Sequence, residues 1–185
     1  YNQTYDAFCK AIPKSKPAIL EIGCGPGNIT RYLLTKRPDF QITGIDSSES
    51  MIQLAQVNNP DSHFLVLDAL EINTLNKQYD AIICGFCLPY ISPELCDDFI
   101  AKIHSLLPSE GVLYLSFVDD DESKSGFPNN SQGDTLFFNY HTSSNIEKHL
   151  LKNGFEKPTV FLIEYLKSDQ SKEIHTVMLT KRANK

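Results

Sequence analysis

The sequence predicts an α/β fold in which seven strands form a doubly wound, mostly parallel sheet and the terminal strand runs antiparallel to the rest. Two observations predict this fold. Short apolar runs alternate with segments of helical periodicity along the 185 residues, and such alternation requires parallel strands joined by right-handed crossovers. The last two apolar runs have no helix between them, so they form a hairpin that reverses the final strand.

The first strand and the first helix of the sheet flank a glycine-rich loop. The apolar run Ala18–Ile22 ends at Gly23, which is followed by Gly25 and Gly27. The next segment, Asn28–Lys36, has apolar residues three and four positions apart, the spacing of one buried helix face. We therefore predict a strand, a loop and a helix in this order.

A second strand-to-helix unit follows the first. The β-branched run Gln41–Ile45 is closed by Asp46. Either Ser47 or Ser48 can cap the next helix, whose apolar face begins at Met51.

Three further strands and one long helix complete the parallel part of the sheet. The runs His63–Leu67 and Tyr79–Cys84 are nearly continuous in apolar residues, as strands covered on both faces must be. Because the segment between them is short, we expect almost no helix there. Ser92, a proline and an acid follow in the order typical of a helix start, which predicts a helix over Pro93–Leu107. The run Val112–Val118 predicts a fifth strand.

The terminal part of the chain contains one helix and the hairpin. Ser144 and Glu147 have the spacing of a capping box, and Gly154 stands where a C′ residue belongs. The hairpin strands are predicted over Thr159–Ile163 and Ile174–Leu179.

Composition excludes several classes of protein. Apolar residues make up 41% of the chain and charged residues 22%, which is typical of one globular domain over residues 1–185. With 17 Lys and Arg against 23 Asp and Glu, the net charge is −6, so no positive field attracts nucleic acid. The longest strongly apolar stretch, residues 81–91, is too short for a bilayer, which needs about 20 residues. We expect neither a nucleic acid nor a membrane as partner.

The five cysteines are an odd number without the spacing of a disulfide scaffold, and no signal-peptide pattern opens the chain. We therefore expect free thiols and a cytoplasmic protein. Cys84 and Cys87 have C-x-x-C spacing, but zinc would need a second ligand pair, and no predicted helix starts beside Cys84 to lower its pKa. No metal site is predicted.

The glycine loop and the acid after the second strand are the first candidates for a binding site. Gly23, Gly25 and Gly27 let a ligand lie against the main chain, and the helix end adds N–H donors. Asn28 stands where the dinucleotide fingerprint has its third glycine, which disfavours a nicotinamide cofactor. Asp46 lies at the same sheet edge and can accept hydrogen bonds from both hydroxyls of a ribose; its alternative role is a helix cap.

Asp68 ends the third strand at the same level of the sheet. Its carboxylate can accept a hydrogen bond from the amino group of an adenine. The alternative is an ordinary turn aspartate that binds its own backbone.

Five segments, in this order, resemble the motifs of a known family. They are ILEIGCGPGNIT (Ile19–Thr30), GIDSSESMI (Gly44–Ile52), FLVLDA (Phe64–Ala69), YDAIICGFCLPYIS (Tyr79–Ser92) and LLPSEGVLYLS (Leu106–Ser116). As an ordered set they resemble class I S-adenosylmethionine-dependent methyltransferases, of the group that acts mostly on small molecules. The resemblance implies a Rossmann-like methyltransferase fold, S-adenosyl-L-methionine as cofactor and S-adenosyl-L-homocysteine as product. At residues 108–111 the sequence departs mildly, because Pro-Ser-Glu-Gly replaces the usual proline-glycine turn.

The resemblance also implies roles for individual residues. The glycine loop with Glu21 would hold the methionine part of the cofactor, Asp46 the ribose, Asp68 with Ala69 the adenine, and residues 85–88 the wall near the sulfonium. The implied cofactor-binding residues are Glu21, Gly23, Cys24, Gly25, Gly27, Asp46, Ser47, Met51, Asp68, Ala69, Gly85, Phe86 and Leu88.

A sulfonium methyl group is already activated, so alignment of the nucleophile supplies most of the acceleration and a general base is optional. If a base is used, Tyr90 and His141 are the candidates; a packed aromatic and a surface hydrogen-bonding histidine are the alternative interpretations. The resemblance makes residues 119–142 a variable substrate-side loop. Residues 1–17 are expected to be an N-terminal helical segment, and a truncated one because the sequence begins with Tyr1.

Methyl transfer to an O, N or C nucleophile of a small molecule is the leading functional hypothesis. One alternative is a non-catalytic domain that binds S-adenosylmethionine and serves a partner protein. A weaker one is a nicotinamide-dependent oxidoreductase, which Asn28 and the terminal hairpin disfavour.

Overall fold

A computed structural model describes residues 1–127, 137–166, 170 and 172–184. In these ranges the chain forms one sheet of seven strands, arranged in the order β3-β2-β1-β4-β5-β7-β6. The strands are β1 (Ala18–Ile22), β2 (Gln41–Asp46), β3 (His63–Val66), β4 (Ala81–Gly85), β5 (Val112–Val118), β6 (Thr159–Leu166) and β7 (Lys172–Lys181).

Helices cover both faces of the sheet. They are α1 (Asn2–Ala11), α2 (Asn28–Lys36), α3 (Glu49–Asn58), α4 (Pro93–Leu106) and α5 (Ser143–Lys152), with short 3₁₀ segments at Ala69–Leu75, Leu88–Tyr90 and Glu122–Lys124. None of the helices in the described ranges is long and apolar enough to cross a bilayer.

The predicted fold class is confirmed. β1 pairs in parallel with β2 on one side and with β4 on the other, and β5 continues the parallel part. β7 lies between β5 and β6 and is antiparallel to both, so the closing hairpin reverses one strand. Both hairpin strands are longer than the apolar runs that predict them, because paired polar residues extend the ladder.

Two cores form because successive side chains of a strand point to opposite faces. Leu20 and Ile22 of β1 belong to the core beneath α4 and α5, whereas Ile19 belongs to the core beneath α1 and α2. The same alternation directs Glu21 toward the face covered by α1 and α2, where Thr30 of α2 donates a hydrogen bond to it. A carboxyl group is thus enclosed at the end of the central strand.

The prediction that the third strand is covered on both faces is wrong. β3 is an edge strand, and of its four residues only Phe64 is buried. The apolar run does not reveal this exposure. It arises because no strand lies beyond β3, and the residue types of β3 do not show that.

The predicted capping box of α5 is also wrong. Thr142 is the N-cap and accepts a hydrogen bond from the backbone N–H of Asn145. Ser144 and Glu147 therefore lie inside the helix, two residues too late for a box. The helix start is set by a distant contact, since Asp119 accepts a hydrogen bond from the backbone N–H of Ser143.

The predicted end of α5 is confirmed. Gly154 has a φ of 81°, the left-handed conformation that glycine adopts without a steric cost. Its N–H donates to the carbonyl of Leu151, and the N–H of Phe155 donates to the carbonyl of Leu150. These two bonds form a Schellman motif, and buried Leu150 and Phe155 belong to one core.

Replacing Gly154 with alanine should destabilise the protein by about 1 to 2 kcal/mol, because a Cβ strains a left-handed backbone. The added carbon would also lie 3.2 Å from Nε2 of His104. Urea unfolding measures the change. Gly126→Ala is the matched control, since its Cβ meets nothing within 4 Å, and its effect should stay within about 0.5 kcal/mol. Equal effects of the two substitutions would contradict this role of Gly154.

Candidate functional site

The carboxyl ends of β1, β2, β3 and β4 surround an open cavity of about 650 Å³, which we call the edge cavity. Its size is typical of small-molecule sites. It is lined by Gly23, Asp46, Ser47, Ser48, Ser50, Met51, Leu67, Asp68, Ala69, Phe86, Cys87, Tyr90 and Ile91.

The sequence identifies nine of these residues, eight by name and Cys87 as part of the predicted wall over residues 85–88. It misses Ser48, Ser50, Leu67 and Ile91. The sequence does contain a signal for Ser48, Ser50 and Leu67, because they lie within four residues of Asp46 or directly before Asp68. Ile91 reaches the cavity through the 3₁₀ turn after β4, which no pattern in the sequence predicts.

Asp46 is held in a fixed orientation by two backbone donors. The N–H of Gly25 donates to Oδ2 at 2.9 Å, and the N–H of Ser48 donates to Oδ1 at 2.9 Å. The cap of α3 is Ser48, whose hydroxyl accepts a hydrogen bond from the N–H of Met51. Because an ionised carboxylate has about four acceptor positions, Asp46 keeps the capacity to accept two further hydrogen bonds.

The three glycines of the loop all have left-handed backbones, with φ values of 68°, 50° and 80°. Gly23 lines the edge cavity, and a Cβ there would lie 3.0 Å from Cβ of Cys87. A Cβ on Gly25 would meet nothing within 4 Å. At Gly27 a Cβ would overlap Nδ2 of Asn59, so this glycine serves the packing of α2 against α3.

Glu21 is fully buried beneath the loop. The Thr30 hydroxyl donates to its Oε2, whereas Oε1 has no hydrogen-bond partner among the described residues. Burial raises the pKa of Glu21 to about 7, although the hydrogen bonds from Thr30 partly oppose the shift. A buried carboxyl group beneath the loop therefore titrates near neutral pH and lacks a hydrogen-bond donor on one oxygen.

Several residues that the resemblance implies as cofactor-binding do not line the edge cavity. The Cys24 side chain packs against α3 in a small core, and Leu88 is buried in the core beneath α4 and α5. A Cβ on Gly85 would overlap Ile29, so that glycine allows α2 to approach the sheet. Those absent from the cavity wall are Glu21, Cys24, Gly25, Gly27, Gly85 and Leu88.

His141 is an interior residue, so the interpretation of it as a surface hydrogen-bonding histidine is wrong. Its side chain is 2% exposed, Nε2 donates to the Leu88 carbonyl at 2.9 Å, and Nδ1 lies 3.7 Å from Sγ of Cys96. Burial lowers the pKa of this imidazole. Both ring nitrogens are engaged and His141 is not among the residues that line the edge cavity, so its role as a base stays a prediction.

Tyr90 is 55% exposed, so it is not the packed aromatic of the alternative interpretation. It lines the edge cavity and also a second cavity of about 760 Å³, which we call the loop cavity. The loop cavity lies between the start of α4, the segment Glu122–Lys124 and residues 137–139. Residues 128–136 of the predicted substrate-side loop lie outside the described residues.

The cysteines are free and buried. The Cys87 thiol and burial raise the pKa of Cys84, which opposes thiolate chemistry at the C-x-x-C pair. Among the described residues, no group of three or more His, Cys, Asp or Glu side chains is arranged to hold a metal ion.

Comparison with known proteins gives concordant results. A family model described as a methyltransferase domain matches residues 19–111, half of the chain. A carboxy-S-adenosyl-L-methionine synthase of Campylobacter hominis is 34% identical over 115 residues, which cover 60% of this chain and 49% of the synthase. A malonyl-[acyl-carrier protein] O-methyltransferase of Acetivibrio thermocellus is 35% identical over 105 residues, 56% of this chain and 36% of that enzyme. The chain thus spans half or less of the length of these relatives.

The fold is shared with solved structures. A structure of an S-adenosylmethionine-dependent methyltransferase from Methanosarcina mazei superimposes with a TM-score of 0.81 at 20% sequence identity. The match covers 96% of this chain and 98% of the other. At this identity the similarity establishes the common fold.

Replacing Glu21 with glutamine should change how stability depends on pH. The pKa of Glu21 is raised from 4.5 to about 7 in the folded state, so its stabilising contribution is complete below about pH 4.5 and is lost as the pH rises through 7. Between pH 5 and pH 8 the free energy of unfolding should fall about 1 to 3 kcal/mol further in the natural protein than in Glu21→Gln. Urea unfolding at both pH values measures this.

The exposed residue Glu156 provides the control. Glu156→Gln should follow the pH dependence of the natural protein. If Glu21→Gln also follows it, Glu21 does not titrate as proposed.

Proposed function

The chain belongs to the methyltransferase-domain family of class I S-adenosylmethionine-dependent enzymes, and we propose that it transfers a methyl group from S-adenosylmethionine to an O, N or C nucleophile of a small molecule. The observation that carries this proposal is the edge cavity, where the glycine loop, Asp46 and Asp68 meet. The cofactor is that of the family, whereas the acceptor and the type of nucleophile are part of the proposal.

The residues of the edge cavity fit the chemical groups of the cofactor. Asp46 has free acceptor capacity for the two ribose hydroxyls. Asp68 is exposed at the cavity wall between Leu67 and Ala69, which suits an adenine with its amino group. Outside the cavity wall, the unpartnered Oε1 of Glu21 is buried beneath the loop and is an acceptor that a cationic ammonium donor would satisfy.

When bound, S-adenosylmethionine supplies an activated methyl group on a sulfonium. The protein orients the acceptor toward this methyl group and excludes water. Gly23 and Phe86 form the wall beside the loop, and Tyr90 stands where the two cavities adjoin. Positioning of this kind supplies up to about 7 to 11 kcal/mol of rate acceleration. Of the two predicted bases, Tyr90 is the one that lines the cavities, and it would receive the acceptor's proton as a phenolate where a base is used.

Asp46→Ala should weaken binding of S-adenosylhomocysteine by about 1.5 to 3 kcal/mol, because a charged hydrogen-bond acceptor is lost. Isothermal titration calorimetry measures the affinity, and NADH serves as the competing nucleotide. Asp61→Ala, an exposed acid outside the edge cavity, is the control and should bind normally. Asp46→Asn keeps one acceptor oxygen for the backbone N–H groups, so it should stay folded, and a loss of affinity in this variant reports on binding. Unchanged affinity in Asp46→Ala would remove Asp46 from the site.

Turnover tests the activity itself. Incubation with methyl-labelled S-adenosylmethionine and a metabolite extract should release S-adenosylhomocysteine and transfer label to small molecules. Binding of S-adenosylhomocysteine without any label transfer would contradict the enzymatic proposal and favour a binding domain that serves a partner. Binding of NADH in its place would favour the oxidoreductase.

A further inference from the structure

The loop cavity has no role in the cofactor assignment, yet hydrogen bonds fix part of its wall. Its wall includes Asn139, whose backbone N–H and side-chain amide both donate to the Pro89 carbonyl, at 2.8 and 3.1 Å. These bonds connect residues 137–139 to the turn that follows β4. Because Tyr90 lines both cavities, a molecule in the loop cavity lies next to the edge cavity.

Two carboxylates without a counter-ion stand on the wall of the loop cavity. In the described ranges, neither Glu94 nor Glu122 forms an ion pair. Acids nearby behave differently, since Asp97, Asp98 and Asp120 each pair with a lysine. Glu94 and Glu122 therefore present negative charge without a paired cation at the cavity wall.

Local hydrogen bonds hold both carboxylates. Asn145 Nδ2 donates to Oε1 of Glu122 at 2.7 Å, which orients the group and leaves its other oxygen available. The pKa of Glu94 is lowered by a hydrogen bond from its own backbone N–H and by one from Ser92, so this side chain is ionised at neutral pH.

No cationic side chain is available to bind an anion there. The described residues that line the loop cavity include no Lys, Arg or His. An acceptor recognised through a carboxylate or a phosphate would meet no counter-ion among these lining residues.

Two aromatic side chains of the cavity wall are unusually exposed. Tyr90 is 55% exposed and Phe137 is 45% exposed. Edge-to-face contacts support both rings, from Phe138 at a centroid distance of 6.3 Å and from Phe127 at 5.1 Å. Aromatic rings beside carboxylates attract an organic cation both by cation–π interaction and by charge.

We propose that the loop cavity binds an organic cation, a small molecule with a protonated or quaternary amine, and that this molecule is the methyl acceptor. The second part rests on the proposed function. The ammonium group is bound by Glu94, Glu122 and the two rings, whereas the nucleophile is another group of the same molecule that reaches past Tyr90 toward the edge cavity.

Three probes of matched size and different charge test the proposal. Phenethylamine is a cation, 2-phenylethanol is neutral and 3-phenylpropanoate is an anion at pH 7. Their affinities are measured by NMR titration of the protein saturated with S-adenosylhomocysteine. Phenethylamine should bind at least about tenfold more tightly than 3-phenylpropanoate, with 2-phenylethanol between them, and the difference should shrink as salt is added.

Variants locate the charge preference. In the double variant Glu94→Gln with Glu122→Gln, the ratio of the amine and acid affinities should fall to within about twofold, because the rings alone discriminate weakly. The amide oxygen of a glutamine can still accept the bond from Asn145, so the local structure is kept. Glu156→Gln with Glu110→Gln makes the same change of net charge outside the cavity and should preserve the ratio.

The outcomes separate this inference from the proposed function. Absence of binding by all three probes, equal or tighter binding of the acid, or an equal loss in the control variant would overturn the inference. Calorimetry with S-adenosylhomocysteine on the same samples reports on the cofactor site. Normal cofactor binding without a charge preference overturns the inference alone, whereas failure to bind the cofactor overturns the proposed function and with it the acceptor assignment.

Discussion

Parallel pairing of β1 with β2 on one side and with β4 on the other is the constraint on which the site depends. The register places Ile22 beside Ile45 and Cys84. The residues that follow, including the glycine loop and Asp46, therefore emerge together at one edge. A shift of one residue in this register would turn every side chain of a strand to the opposite face, which would expose the core and remove the acids from the cavity.

The edge of the sheet contains a group that is unfavourable in isolation. Glu21 is a buried carboxyl group with an unpartnered oxygen. Groups of this kind are stable only when the surrounding packing holds them, and they concentrate at functional sites. Here the two cores on the faces of the sheet provide that support, while the N–H groups of Gly25 and Ser48 fix the Asp46 carboxylate.

The walls of both cavities contain two acids, and the cavities differ in what lies beside those acids. The net charge is −6, yet many surface acids are compensated by nearby lysines, as Asp97 and Asp120 are. Glu94 and Glu122 belong to the wall of the loop cavity, where exposed rings replace cations. The edge cavity, by contrast, presents acids next to glycine backbone, an arrangement suited to hydroxyl and amino donors. Tyr90 connects the two environments.

The sequence by itself determined the order and type of the elements, the reversed last strand, the glycine loop and the acids at the strand ends. These follow from periodicity and turn chemistry, which are local. Only the tertiary structure decided that Cys24, Leu88 and His141 face the interior, that β3 is exposed at the edge, and that Ile91 reaches the cavity. The direction of each of these side chains depends on which strands become neighbours and what covers them, and such contacts join residues far apart in the chain.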